Sequence, residues 1–374
     1  MNFDVVLLFS NDRETCPKPA VCTRGPEPIP TRILDAMRHR QKKNTIYQVA
    51  DLAGVAISTV SRVLNDSPNV SETTKRRVEE AIKELNFRPQ VNARNLASRK
   101  PQMLAIAVPS FTTPFFNEVL KGVKDQIQEM DLDIIIYNTG SKNPEESVEN
   151  FFDRGTADAI IAISIEVTET IDQRIKASGT PTVLVGSSHP DYDYFELDEY
   201  MGGELAGKHF GEQGFKRPAI LLPSVESRAS RERKQGFLDA LNTFGITVED
   251  PFFLTGDSTK HAGYTEEAGY EAIMKLHKLD EQPDAIFCLN DTQAIGALHA
   301  MDKLNIRVPE DIALMGYDNI KFTRYMDLTT IDQKMHTIGK MATQRLAQII
   351  KDPDLPLEQT RIEPELVVRH STQR

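Results

Sequence analysis

Cysteine is scarce in this chain of 374 residues, with three in all: Cys16, Cys22 and Cys288. Three thiols cannot build a disulfide framework, and Cys16 and Cys22 have neither the spacing nor the neighbouring ligands of a zinc site. Cys288 lies in "DAIFCLND", which reads as a buried strand, so a packed thiol is expected there and not a reactive one. Long apolar runs are missing as well. The longest early one, Val5–Phe9, is too short to cross a bilayer and lacks the basic lead of a secretion signal. The chain is therefore expected to be cytoplasmic, with no membrane contact. Catalytic signatures are also wanting: there is no P-loop, no GxGxxG after a strand, no GxSxG elbow and no helix-borne His pair. "SHPDYD" (188–193) holds metal-ligating residue types but reads as a solvated loop. No catalytic residue, metal or cofactor is expected, and an enzyme is disfavoured.

What the chain does have is bulk and a charge asymmetry. With 40% hydrophobic residues it is long enough for two or three lobes with real cores. Its net charge of −11 is unevenly spread. Residues 1–31 carry 3 Lys/Arg and 4 Asp/Glu, residues 32–100 carry 14 and 7, and residues 101–374 carry 27 and 44. A basic segment on an acidic body is the footprint of a nucleic-acid-binding module joined to a part with another task; the alternative is a merely solvated face.

Residues 1–43 read as an extension. Five prolines up to Pro30 argue for an extended or disordered tail, and "TRILDAMRHRQKK" (31–43) suits a frayed helix, an arm along phosphates or a solvated tail. From Thr45 helical signals are dense. "TIYQ" is a capping box, which predicts a helix from about Ile46 to Ala53, and Gly54 supplies the positive φ of a turn. In the next helix Val60, Val63 and Leu64 face Val49, Ala50 and Ala53, leaving Ile57, Ser58, Ser61, Arg62 and Asn65 on the outer face. A third helix after Ser71 uses Val78, Ile82 and Leu85 to cover the pair. "FRPQVNARNLASRKPQ" then holds a short, marginal helix in which Leu96 has no obvious partner.

From Met103 the pattern changes to apolar strands alternating with amphipathic helices: "MLAIAVP", "DIIIYN", "DAIIAIS" and "TPTVLVGS", then a second round with "RPAILLP", "DAIFCLND" and "DIALMGYD". Two such rounds predict two lobes of parallel sheet with a cleft at the strand ends, where ligands bind. The fold class is thus an N-terminal all-α domain (44–88), a short helix and linker (89–101) and a two-lobed α/β domain (102–374).

"TIYQVADLAGVAISTVSRVLN", "RPQVNARNL" and "VPEDIALMGYDN" with "LTTIDQ" resemble the helix-turn-helix, hinge helix and effector-domain signature of the LacI/GalR family of bacterial transcriptional repressors. The resemblance runs from about Thr45 to His370. It implies a homodimer, or a tetramer, on double-stranded DNA with a pseudo-palindromic operator, and a core similar to periplasmic sugar-binding proteins that takes a small-molecule effector. It departs from the usual pattern at Ala56, where the family commonly has a Ser N-cap, a loss of about 1 kcal/mol; at Ala105 and Ala159; and at "VGSS" (185–188), which lacks a frequent acidic residue.

The resemblance also implies roles. Arg62 can offer a bidentate fork to guanine, Ile57 and Ser58 match positions that set operator choice, and Thr45, Tyr47, Thr59, Ser61 and Asn65 would position the protein on phosphates. The alternatives are a surface salt bridge for Arg62 and helix-edge packing for Ile57. Leu96 resembles a minor-groove wedge, with Ala93 allowing close approach; packing against the core is the alternative. Arg233, Asn290 and Asp318 match effector contacts suited to a polyhydroxylated or carboxylated small molecule. Phe115 and Phe116 offer an apolar face for a sugar ring or belong to the core. Ser258 stands where some relatives put an aromatic ring, which disfavours a stacked purine. The expected function is a DNA-binding repressor controlled by a sugar or sugar derivative. A phosphorylated carrier protein as corepressor, suggested by "NLASRK", and a sugar receptor without DNA function are the rivals.

Overall fold

The computed structural model describes residues 45–64, 67, 69–87, 103–128, 130, 132–140, 144–153 and 157–373, which fall into two compact units divided after Ser98. The 1–43 extension with Cys16 and Cys22, the hinge segment 89–101 with Ala93 and Leu96, and Asn65 lie outside the described residues.

The first unit is a packet of three short helices. α1 (Ile46–Ala53) opens at the capping box, where the Thr45 amide donates to Gln48 Oε1 at 2.8 Å, and closes at left-handed Gly54 (φ 60°). α2 (Ile57–Leu64) begins directly after Ala56, whose carbonyl accepts from the Val60 amide at 3.2 Å, so the helix keeps its expected start without a polar cap. α3 (Glu72–Glu84) starts at Ser71, whose Oγ accepts from the Thr74 amide at 3.3 Å. Val49, Ala53, Val60, Val63 and Val78 meet at the centre, and their small size lets the helices approach closely. Arg77, which no local pattern marks, donates to the Ala53 carbonyl at 2.5 Å and so satisfies the end of α1.

In the second unit, β1 (Met103–Val108), α4 (Pro114–Ile127), β2 (Asp133–Asn138), α5 (Pro144–Asp153), β3 (Ala159–Ile163), α6 (Glu169–Ser178), β4 (Thr182–Val185) and β5 (Asp193–Leu197) make the first lobe. α7 (Glu199–Glu212) leads into β6 (Pro218–Leu222), α8 (Arg228–Thr243), β7 (Phe253–Thr255), α9 (Glu266–Leu276), β8 (Ala285–Cys288), α10 (Asp291–Lys303) and β9 (Ala313–Met315) of the second. Both sheets are parallel, the second in the order β7-β6-β8-β9. Strands such as β3, buried along its whole length, are apolar at every position because helices cover both faces.

Helix does not follow β9 directly, contrary to the strand-then-helix reading. A 3-10 segment (Lys321–Met326) leads to β10 (Thr330–Asp332), and the following α11 (Met335–Lys351) returns to the first lobe, where Ile338 and Ala342 join Val119 and Val123 of α4. β11 (Gln359–Ile362) then pairs with β5, giving the order β11-β5-β4-β3-β1-β2, and β12 (Glu365–Val367) pairs antiparallel with β10. The chain therefore crosses between lobes at 197–199, 332–335 and 362–365. These crossings are too short to carry a periodic signal.

In the second lobe α7 lies against α8 at backbone distance. A Cβ on Gly203 would stand 2.0 Å from the Arg233 carbonyl oxygen, and one on Gly236 would stand 2.0 Å from that of Tyr200. Ala in place of Gly ordinarily stabilises a helix by about 0.5–1 kcal/mol. Gly203→Ala should do the opposite here, costing about 1–3 kcal/mol through overpacking. A fall in Tm of the full chain checks the sign.

Candidate nucleic-acid interface and ligand cleft

On the first unit, burying Val60 and Val63 turns the other side of α2 outward. Ile57, Ser58 and Arg62 are exposed there, and Thr59 and Ser61 are half-buried. Tyr47 at the start of α1 is 64% exposed and Thr45 is exposed as well. An aromatic and an isoleucine in water on so small a packet are not serving its core. Among the described residues no ion pair of Arg62 is found. The arrangement presents a cation with hydroxyls on either side of it, the donor set that reads and grips a duplex.

In the second unit the carboxyl ends of both sheets carry the polar groups. Asn290 is the N-cap of α10, its Oδ1 accepting from the Gln293 amide at 2.8 Å. Asp291, fully buried, accepts from the Ile320 amide at 2.8 Å and the Thr330 hydroxyl at 2.7 Å, so it holds the turn after β9 in place. Gly316 must be glycine for that, since a Cβ would stand 2.1 Å from Asp291 Oδ1. The turn holds Asp318 in a rarely populated conformation (φ 115°), 4% exposed, with Oδ1 accepting from Gln333 Nε2 at 2.5 Å.

Arg233 on α8 reaches the same place. Its Nε and Nη2 meet Glu199 Oε2 and Oε1 at 2.7 and 3.1 Å, its Nη1 donates to the Leu289 carbonyl at 2.7 Å, and its guanidinium lies 3.8 Å from the Tyr317 ring centroid. Burial works against the charge, but Glu199 more than offsets this and holds the guanidinium pKa well above its usual value. Burial also raises the Asp318 carboxyl to about 7, with Arg233 pulling the other way and Glu199 adding to the rise. The structure thus brings together Arg233, Asn290 and Asp318, and adds Glu199, Tyr317 and Gln333, which the sequence reading did not single out.

Phe115 and Phe116 sit on the first turn of α4, half-buried against the first-lobe core and edge-on to each other at 5.0 Å. Ser258 is tied by its amide to Glu271 Oε2 at 2.9 Å. A further ring within reach of the Arg233 charge is Tyr264, which follows left-handed His261, Ala262 and Gly263 and whose hydroxyl bonds with Ser227 and Ser230. Ser188, in the "VGSS" stretch, donates to buried Glu196 at 3.0 Å. Ser187, just after β4, and Thr113, the N-cap of α4, have buried hydroxyls with no partner among the described residues.

Two other expectations concern inert groups. Cys288 is fully buried, and burial pushes its thiol pKa far up, as for a packed thiol. Asp172, His189 and Asp191 converge in the "SHPDYD" region, but Lys176 Nζ contacts both carboxylates at 2.9 and 2.6 Å and supplies the positive charge itself.

Residues 45–90 match the model of bacterial regulatory proteins of the lacI family, and residues 208–372 match a periplasmic binding protein-like domain. The HTH-type transcriptional repressor PurR of Mannheimia succiniciproducens is 31% identical over 338 residues, covering 88% of this chain and 99% of its own; that of Vibrio vulnificus is 32% identical over 336 residues, covering 88% and 99%. Among solved structures, the transcriptional regulator CelR with cellobiose is 26% identical with a TM-score of 0.62, covering 88% of this chain and 99% of its own. A LacI-family regulator of Enterococcus faecium with bound ribose is 25% identical with a TM-score of 0.63, covering 73% and 99%.

The buried carboxyl sets a pH dependence. A folded pKa of about 7 against 3.8 means that Asp318 favours the fold fully at low pH, and that this contribution is lost as pH rises through 7. Asp318→Asn should flatten the decline in Tm between pH 5 and pH 8. Equal slopes in a thermal melt series would count against the assignment.

Proposed function

Because the chain belongs to the LacI family of bacterial regulatory proteins, whose members are DNA-binding transcriptional regulators and not enzymes, we propose that it is a repressor whose grip on a pseudo-palindromic operator is set by a small molecule. The effector is a sugar or sugar derivative held between the two lobes. The observation that carries this reading is the coexistence of an exposed reader face on α2 with a separate cluster of buried polar groups, Arg233, Asn290 and Asp318, at the strand ends of an α/β body.

Arg62 reads a guanine, Ile57 and Ser58 set base preference, and Thr45, Tyr47, Thr59, Ser61 and Asn65 hold phosphates. Leu96 enters the minor groove at the operator centre, with Ala93 permitting the approach. In the cleft, one face of Tyr264 and one of the pair Phe115/Phe116 border the ligand ring. Relatives of this fold have been solved with cellobiose and with ribose, which supports the sugar class. A phosphorylated carrier protein as corepressor has only the "NLASRK" stretch in its favour. An effector acts only if it binds the DNA-competent and incompetent states with different affinity, and the usual coupling is about 5- to 150-fold.

The working form is a homodimer in the cytoplasm. β2 is an edge strand, yet Ile134, Ile135 and Ile136 are all exposed, 45% at Ile136, and Phe322 and Tyr325 are exposed on the second lobe. An apolar edge of this kind is a partner surface or an aggregation hazard, and a second copy covers it. Among the described residues no helix is long and apolar enough to cross a membrane.

Selection of genomic fragments by the full chain, with and without sugars, tests the whole reading; retention of random fragments alone would refute it. Arg62→Ala should cost about 1–3 kcal/mol of discrimination per half-site, measured as the ratio of operator to random-duplex affinity at one salt concentration. Ile135→Lys should shift the sedimentation of the chain toward monomer and weaken operator binding in step.

A further inference from the structure

Arg233 offers few open donors to an acidic ligand. Both arms of its fork close on the two oxygens of Glu199, the bidentate geometry in which an arginine receives a carboxylate. The remaining amino group already donates to the Leu289 carbonyl, and Nη2 also reaches Gln333 Oε1 at 3.5 Å. Glu199 is itself held: it is 5% exposed, it is rooted in the first turn of α7, and its Oε2 accepts from the Tyr317 hydroxyl at 3.0 Å.

We propose that Glu199 is a built-in occupant of the carboxylate-binding fork of Arg233, and that the cleft for this reason selects neutral, hydroxylated ligands and turns away carboxylated and phosphorylated ones. The inference rests on the reading that a small molecule binds in this cleft, and narrows it. An incoming anion has to evict Glu199 from Arg233 and Tyr317, leaving a buried carboxylate unpaired near Asp318. Stripping one partner from a buried ion pair is strongly unfavourable. A neutral hydroxyl needs no eviction. It accepts from the one remaining N–H of Nη1 and donates to the Asp318 oxygen that Gln333 leaves open.

The test compares the full chain with Glu199→Ala and, should that variant not fold by circular dichroism, with Glu199→Gln, which keeps the side-chain volume. In the first arm, sodium acetate replaces sodium chloride at equal ionic strength. Acetate should raise the Tm of the variant in a saturable way and leave the parent and the Glu199→Ala/Arg233→Ala double variant unmoved. An identical response to acetate and chloride in the variant overturns the proposal. In the second arm, calorimetry compares glucose with glucuronate and glucose 6-phosphate, and ribose with ribose 5-phosphate. The parent should bind each anionic member about tenfold more weakly than its neutral counterpart, or worse, and the variant should narrow that ratio. A parent that prefers the anionic members also overturns it. Should no sugar bind the parent while acetate binds the variant, the filled fork is supported and the sugar reading of the cleft is what fails.

Discussion

The second unit is organised around one buried guanidinium. Arg233 is 6% exposed, and a charge so placed is tolerable only if its hydrogen bonds are met. Meeting them draws in three separate stretches of chain: Glu199 beside the first interlobe crossing, the Leu289 carbonyl at the end of β8, and Gln333 in the second crossing. Gln333 in turn holds Asp318. The same interaction that makes the burial of Arg233 affordable therefore fixes the position of most of the polar groups a ligand would meet. A lobe movement that pulls either crossing strains this network, which gives ligand occupancy and lobe geometry a shared physical basis.

Local signals were legible and distant ones were not. α1, α2 and α3 followed from a capping box, a glycine turn and an i, i+3, i+4 apolar spacing, all of which act within one or two turns of chain. The buried strands of both lobes followed from their unbroken apolar runs. β5, β7, β10, β11 and β12 carry no such signal: β7, β10 and β12 have three residues each, and β5 and β11 mix charged with apolar positions because Glu196 and Arg361 pair across them. Glu199 was hidden for a similar reason. An acidic residue in the first turn of a helix needs no further explanation on its own. Its partner is 34 residues away, and only the Gly203–Gly236 approach of α7 and α8 brings the two together. Tyr264 carries no local signal either, since it follows three left-handed residues, His261, Ala262 and Gly263, in a stretch without periodicity.

The lobes are held by more than their crossings. Glu196, on the last strand before the first crossing, is 4% exposed and accepts from Arg228 of α8 at 2.8 Å and from Arg361 of β11 at 3.1 Å. Opposing bonds and burial leave its carboxyl lowered from the ordinary value, so it remains ionised at neutral pH. Arg228 belongs to the second lobe and Arg361 to the first. A single carboxylate thus bridges both bodies close to the line about which they would turn.

The placement of β11 bears on how such a chain is made. The first sheet does not have its full complement of strands until Gln359–Ile362 pairs with Tyr194–Leu197, about 165 residues further along than the strand it protects. During synthesis the N-terminal lobe must wait, with the edge of β5 bare and the α11 side of its core uncovered, while the whole second lobe emerges from the ribosome. Separations of this size slow folding and leave intermediates open to edge-to-edge association. A nascent copy is thus open to misassembly from the completion of β5 until Gln359–Ile362 has emerged, and loss of β11 is a greater hazard to the first lobe than to the second.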